Sequence, residues 1–129
     1  MTQESKELLL KDLCARLPYG VCYKHFTWDD ERGEECIAAK IYSINSDGYV
    51  KNCYDDETVY INNVHPYLFP LSSMTDEQKD EYQYITERWM YDPTYSISDS
   101  IDWLNKNHFD YRGLIEKGLA IDATGKNIY

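Results

Sequence analysis

His108, Asp110 and Arg112 alternate with Phe109 and Tyr111 in the run HFDYR, the best cluster for a site that the chain offers. At an exposed corner, an imidazole, a carboxylate and a guanidinium form a workable acid/base pair with an anion-binding arm. Imidazole titrates near neutrality, and guanidinium stays charged. The same residue types also serve folding. His108 can close an apolar stripe, Asp110 can cap a helix by accepting backbone N–H bonds, and Arg112 can pair with a nearby acid. Catalysis and folding would draw on the same atoms, and spacing does not separate them. The corner is a weak catalytic candidate, and no other stretch supplies a second.

Other chemistries lack their signatures. His25, His65 and His108 are isolated in the sequence, without H-x-x-x-H or H-x-E spacing. The acid pairs Asp29–Asp30, Glu34–Glu35 and Asp55–Asp56 fall in turn-like stretches, where charge ordinarily serves solvation, and no calcium-loop spacing occurs. The expectation is therefore no metal ligand set and no cofactor. No G-x-S-x-G is present, and six glycines leave little material for a phosphate cradle. Cys22 and Cys53 sit in strand-like stretches and are expected in the core rather than as nucleophiles. Trp28, Trp89 and Trp103 could stack a ligand, but their spacing reads as core.

The elements that would position the corner come from the stretch 96–123. Ile97, Ile101, Leu104 and His108 recur at i, i+4, i+7 and i+11, one face of a helix that Asn107 ends. Asp110 would cap a short helix after it. Gly118 suits a left-handed C′ position, with Leu114 and Leu119 making the apolar contact of a Schellman stop. Before this block, Thr75 and Gln78 form a capping box that opens a helix to about Met90, burying Tyr82, Ile85 and Trp89 until Asp92-Pro93 breaks it. Residues 64–74 (VHPYLFPLSSM) are too apolar for water, and Pro66 and Pro70 bar a helix, so an extended segment should cross between sheet and helices.

Upstream, the period changes from 3.6 to 2. The runs 21–28, 36–44, 49–54 and 58–62 read as strands, joined by the polar stretch 29–34, by Asn45-Ser46-Asp47-Gly48 and by a polar turn at 55–57. Such short connections require antiparallel pairing. The first helix runs from Thr2, a capping residue, to Leu17, with Leu10, Leu13, Cys14 and Leu17 as its stripe and Pro18 as its stop. The tail 124–129 is expected to fray. The sum is a single α+β domain over residues 1–129. It has an N-terminal helix, a four-stranded antiparallel meander able to curl into a small open barrel, and three C-terminal helices.

The chain of 129 residues carries a formal charge of −10, with five excess acids on either side of His65. A field of that sign repels phosphate backbones, so direct nucleic-acid binding is not expected; a basic protein partner suits it. Thirteen tyrosines fit a half-wet core or an adhesive face. No apolar run is long enough to span a membrane. Four cysteines without C-x-x-C spacing, and no signal-peptide pattern, point to a reducing cytoplasmic setting.

The segments 12–21 (DLCARLPYGV), 65–75 (HPYLFPLSSMT) and 102–120 (DWLNKNHFDYRGLIEKGLA) resemble a group of small proteins of gut Bacteroidales genomes, often in phage or prophage neighbourhoods. No biochemical role attaches to that group, so no site residues transfer. The resemblance implies an intracellular setting and a mobile-element origin. The expected function is a non-catalytic, acidic protein–protein interaction module with a basic partner. The alternative is a small enzyme with its site at the His108/Asp110/Arg112 corner.

Overall fold

Thr2 accepts the Ser5 N–H through its hydroxyl at 3.1 Å and starts α1 (Gln3–Arg16). The computed structural model describes residues 1–31, 33–55, 57–88, 90–94 and 96–129, with Asp29 through its backbone alone. Trp89 as a core residue, Asp56 of the Asp55–Asp56 pair and the side chain of Asp29 therefore lie outside the described residues. The buried face of α1 is not the expected one. Leu9, Asp12, Leu13 and Arg16 are buried at i, i+3, i+4 and i+7, whereas Cys14 is exposed and Leu10 and Leu17 are half-buried. An ion pair permits this, since Arg16 Nε lies 2.9 Å from Asp12 Oδ2 and both side chains are inaccessible to water.

The helix covers the concave side of one sheet. Its strands β1 (Cys22–Asp29), β2 (Gly33–Ile44), β3 (Tyr49–Asn52) and β4 (Thr58–Tyr60) pair antiparallel in chain order. The sheet curls into a half-barrel. The β1–β2 hairpin is longer than expected, paired from Cys22↔Lys40 out to Asp29↔Gly33. Period-2 alternation sends Tyr23, Ala39, Ile41 and Val50 inward, where they meet Leu9, Leu13, Ile61 and Val64 in the main core. The Asn45–Gly48 turn forms as expected: Asn45 Oδ1 accepts the N–H groups of Asp47 and Tyr49, and Gly48 takes φ 88°.

The apolar crossing segment does more than bridge. Its β5 (Tyr67–Pro70) is the centre of a second sheet, flanked in parallel by β6 (Phe109–Asp110) and β7 (Ile121–Asp122). This overturns the third C-terminal helix. Phe109 is 2% exposed, stacked on Trp103 at 5.6 Å, and its backbone pairs with Phe69. The turn left between Gly113 and Gly118, both near φ 72°, is too short to nucleate a helix. Its stop is nevertheless the expected one. Leu119 N–H bonds Leu114 C=O at 2.9 Å and Gly118 N–H bonds Ile115 C=O at 3.1 Å, the Schellman pair.

Two α-helices follow the first sheet among the described residues: α2 (Asp76–Arg88) and α3 (Ile97–Lys106). The Thr75–Gln78 capping box is present in both directions, at 2.9 and 3.1 Å. α3 buries Leu104 as expected, but its two isoleucines are not part of the buried face. Ile97 and Ile101 are 63% and 41% exposed, while Ser100, Trp103, Leu104 and Asn105 are buried. Trp103 carries more apolar area than either isoleucine. Its ring packs against Phe109 and, at 5.5 Å, against Tyr82 of α2, forming a second small core. The segment 124–129 is docked rather than frayed. The Tyr129 hydroxyl donates to Tyr67 C=O at 2.7 Å and accepts the Cys22 N–H at 3.0 Å. No helix among the described residues is long and apolar enough to cross a membrane.

Candidate functional site

The corner expected from the sequence does not converge on one point. His108 holds φ 60°, is 6% exposed and stacks on the Tyr129 ring at 3.8 Å. Burial, aided by the Arg16 guanidinium, brings its pKa down to about 4, so the ring is a neutral packing group at neutral pH. Asp110 accepts the backbone N–H groups of Leu114 and Ile115, each at 2.9 Å, and so holds the following turn. Arg112 reaches away to Asp12 Oδ1 at 2.9 Å, joining the buried Asp12–Arg16 pair, and donates to the Tyr111 hydroxyl at 2.7 Å. A cavity of about 370 Å3 borders Asp110 and Tyr111 but neither His108 nor Arg112.

A different set of groups does converge, on β1 and the β3–β4 loop. His25 follows Tyr23 at period 2, so both point to the concave side, and His25 is 3% exposed. β3 ends at Asn52, whose side-chain oxygen accepts the N–H groups of Tyr54 (2.8 Å) and Asp55 (2.9 Å) and folds the loop back over the sheet. Asp55 Oδ1 in turn accepts the Glu57 N–H at 3.0 Å. The folded loop brings Asp55 Oδ2 to 2.9 Å and Glu57 Oε2 to 3.6 Å from His25 Nε2. On the far side of the ring, Nδ1 lies 3.2 Å from the Tyr23 hydroxyl, which accepts from Asn52 Nδ2 at 2.9 Å.

Counting donors assigns the protons. Asn52 donates to Tyr23, the Tyr23 O–H donates to Nδ1, and the Nε2–H donates to Asp55. The hydrogen bond from His25 holds the Asp55 carboxyl below the ordinary aspartate range, and burial pushes the Tyr23 phenol up. One amide therefore organises both halves of the cluster, its oxygen shaping the loop and its nitrogen the tyrosine.

Two cavities flank it. A groove of about 730 Å3 is lined by Thr27, Trp28, Glu34, Tyr54, Asp55 and Glu57 among others, and a smaller one of about 190 Å3 is lined by His25, Lys24 and Asn63. Phe26 and Glu57 border both. The expectation that Trp28 is core fails: it is 74% exposed, with Phe26 at 53% and Tyr54 at 67% beside it. Trp103, by contrast, is core as expected. Cys53 is exposed instead of buried, as are Cys14 and Cys36, because β3 stops one residue before it. Burial raises the Cys22 thiol, away from nucleophilic use.

Sequence reasoning missed His25, Asp55 and Glu57 because no short-range spacing joins a strand residue to a loop thirty residues on. The signal present was the meander order together with strand alternation, which places Tyr23, His25 and the β3–β4 turn at one end of a curled sheet. No protein-family model matches the chain, and no curated protein or solved structure is significantly similar to it.

Proposed function

We propose that the chain is a non-catalytic, acidic recognition module whose groove accepts a lysine- or arginine-bearing segment of a basic partner protein. The observation that carries this is the coincidence, in one groove, of the exposed rings Phe26, Trp28 and Tyr54 with the carboxylates Glu34, Asp55 and Glu57. Aromatic faces attract cations through their quadrupole, and nearby carboxylates add a Coulomb term. The chain's −10 charge would speed the approach of a basic partner and repel nucleic acid. The resemblance to proteins of phage neighbourhoods supports an intracellular, mobile-element setting. An enzyme working at the His108 corner finds no support in this geometry, since His108 is buried and the two other groups hold the fold together.

The test is calorimetric titration with an arginine-rich peptide and a glutamate-rich control of equal length. Binding of the arginine-rich peptide alone is expected. Trp28→Ala should weaken it about tenfold or more, and Glu34→Gln should weaken it and flatten its salt dependence. Equal affinity of wild type and both variants would overturn the proposal.

A further inference from the structure

We propose that His25, Asp55 and Glu57 form a binding site for one divalent first-row transition cation, held by imidazole Nε2 and one oxygen from each carboxylate. The ligand atoms all lie within 4.8 Å of one another. The separations from Nε2, 2.9 Å to Asp55 and 3.6 Å to Glu57, bracket the roughly 3–3.5 Å edge of a coordination polyhedron with bonds of about 2.1 Å. The ring's other nitrogen faces a hydroxyl that a buried amide fixes in place, so its orientation is set from behind.

An imidazole nitrogen beside two carboxylates favours a transition cation over magnesium or calcium, which prefer oxygen alone. Among the described residues three protein ligands are supplied, and two of them border the larger groove, so the remaining coordination positions would open there. Loading the site requires the ring proton to pass from Nε2 to Nδ1, with the Tyr23 O–H turning so that its oxygen accepts from Nδ1. The site does not depend on the groove taking a partner's cation. Glu34 belongs to the groove and not to the cluster, so the Glu34→Gln variant separates the two proposals.

The probe is Co2+ added to the reduced protein, read by calorimetry and by its visible spectrum. One equivalent should bind, without the near-ultraviolet charge-transfer band that ligation by the exposed Cys14, Cys36 or Cys53 would bring. Glu57→Gln, a change at a side chain 62% exposed, should weaken binding about tenfold or more while leaving circular dichroism unchanged. Tyr23→Phe should weaken it about 10–100-fold through loss of the hydroxyl behind the ring. Glu34→Gln should bind as wild type does. Mg2+ in excess should not displace the cobalt. A thiolate band, unaltered affinity in Glu57→Gln, or no cobalt binding at all would each overturn the proposal.

Discussion

Asp12 is the residue on which most buried charge turns. It holds Arg16 in a pair sealed from water, and it receives Arg112 from the far end of the chain at 2.9 Å. Arg16 also donates to Phe109 C=O at 2.6 Å, tying α1 to β6. Removing one member of a buried pair leaves the other charge without compensation, at a cost of about 3–5 kcal/mol. Asp12→Ala is therefore expected to lose stability on that scale in urea titration. Replacing both members together, Asp12→Leu with Arg16→Met, should recover about half the loss or more, because apolar side chains of similar volume fill the same space and Arg112, 16% exposed, can turn to water. Nothing in the spacing announced this pair. Asp and Arg four apart on a helix are read as an exposed ion pair, and only the packing of Leu9 and Leu13 against the sheet shows that they face inward. His108, Asp110 and Arg112 were legible as a cluster of residue types, but not as three groups facing three different neighbours.

Among the elements, the local devices were legible and the pairings were not. Thr2, the Asn45–Gly48 turn, the Thr75–Gln78 box and the Gly118 stop all act within a few residues, so propensity and hydrogen-bond reach decide them. Two of these positions make a paired prediction. Gly48 and Gly118 both have positive φ, at 88° and 72°. A Cβ at Gly48 would lie 3.2 Å from Ile61 Cγ2 and 3.4 Å from Lys6 Cε, where Lys6 bonds the Tyr60 hydroxyl, whereas nothing lies within 4 Å at Gly118. Gly118→Ala should cost about 1 kcal/mol from backbone strain alone, and Gly48→Ala about 2 kcal/mol or more, as measured by thermal unfolding. Equal costs would show that the packing around Gly48 relaxes freely. β6 and β7 escaped notice because each is two residues long and exists only through β5. The short helix expected after Asp110 is only a turn between Gly113 and Gly118.

At the scale of the whole molecule, a −10 chain repels itself, and that repulsion is a screened Coulomb energy. Raising ionic strength from about 0.01 to about 0.15 M shortens the screening length from about 30 to about 8 Å. The melting temperature should rise over that range while affinity for an arginine-rich peptide falls, two opposite salt responses from one charge distribution. A melting temperature that falls with salt would mean that surface ion pairs outweigh the net repulsion. The sequence by itself determined the α+β class, the antiparallel meander, the capped helices and the acidic character, because each follows from composition or from contacts a few residues apart. Tertiary structure alone decided which helix faces are buried, where the chain's polar groups meet, and that His25, Asp55 and Glu57 share a point in space. Those outcomes depend on how a twisted sheet curls and which surface covers it, which is a competition among packings of nearly equal pattern and different shape.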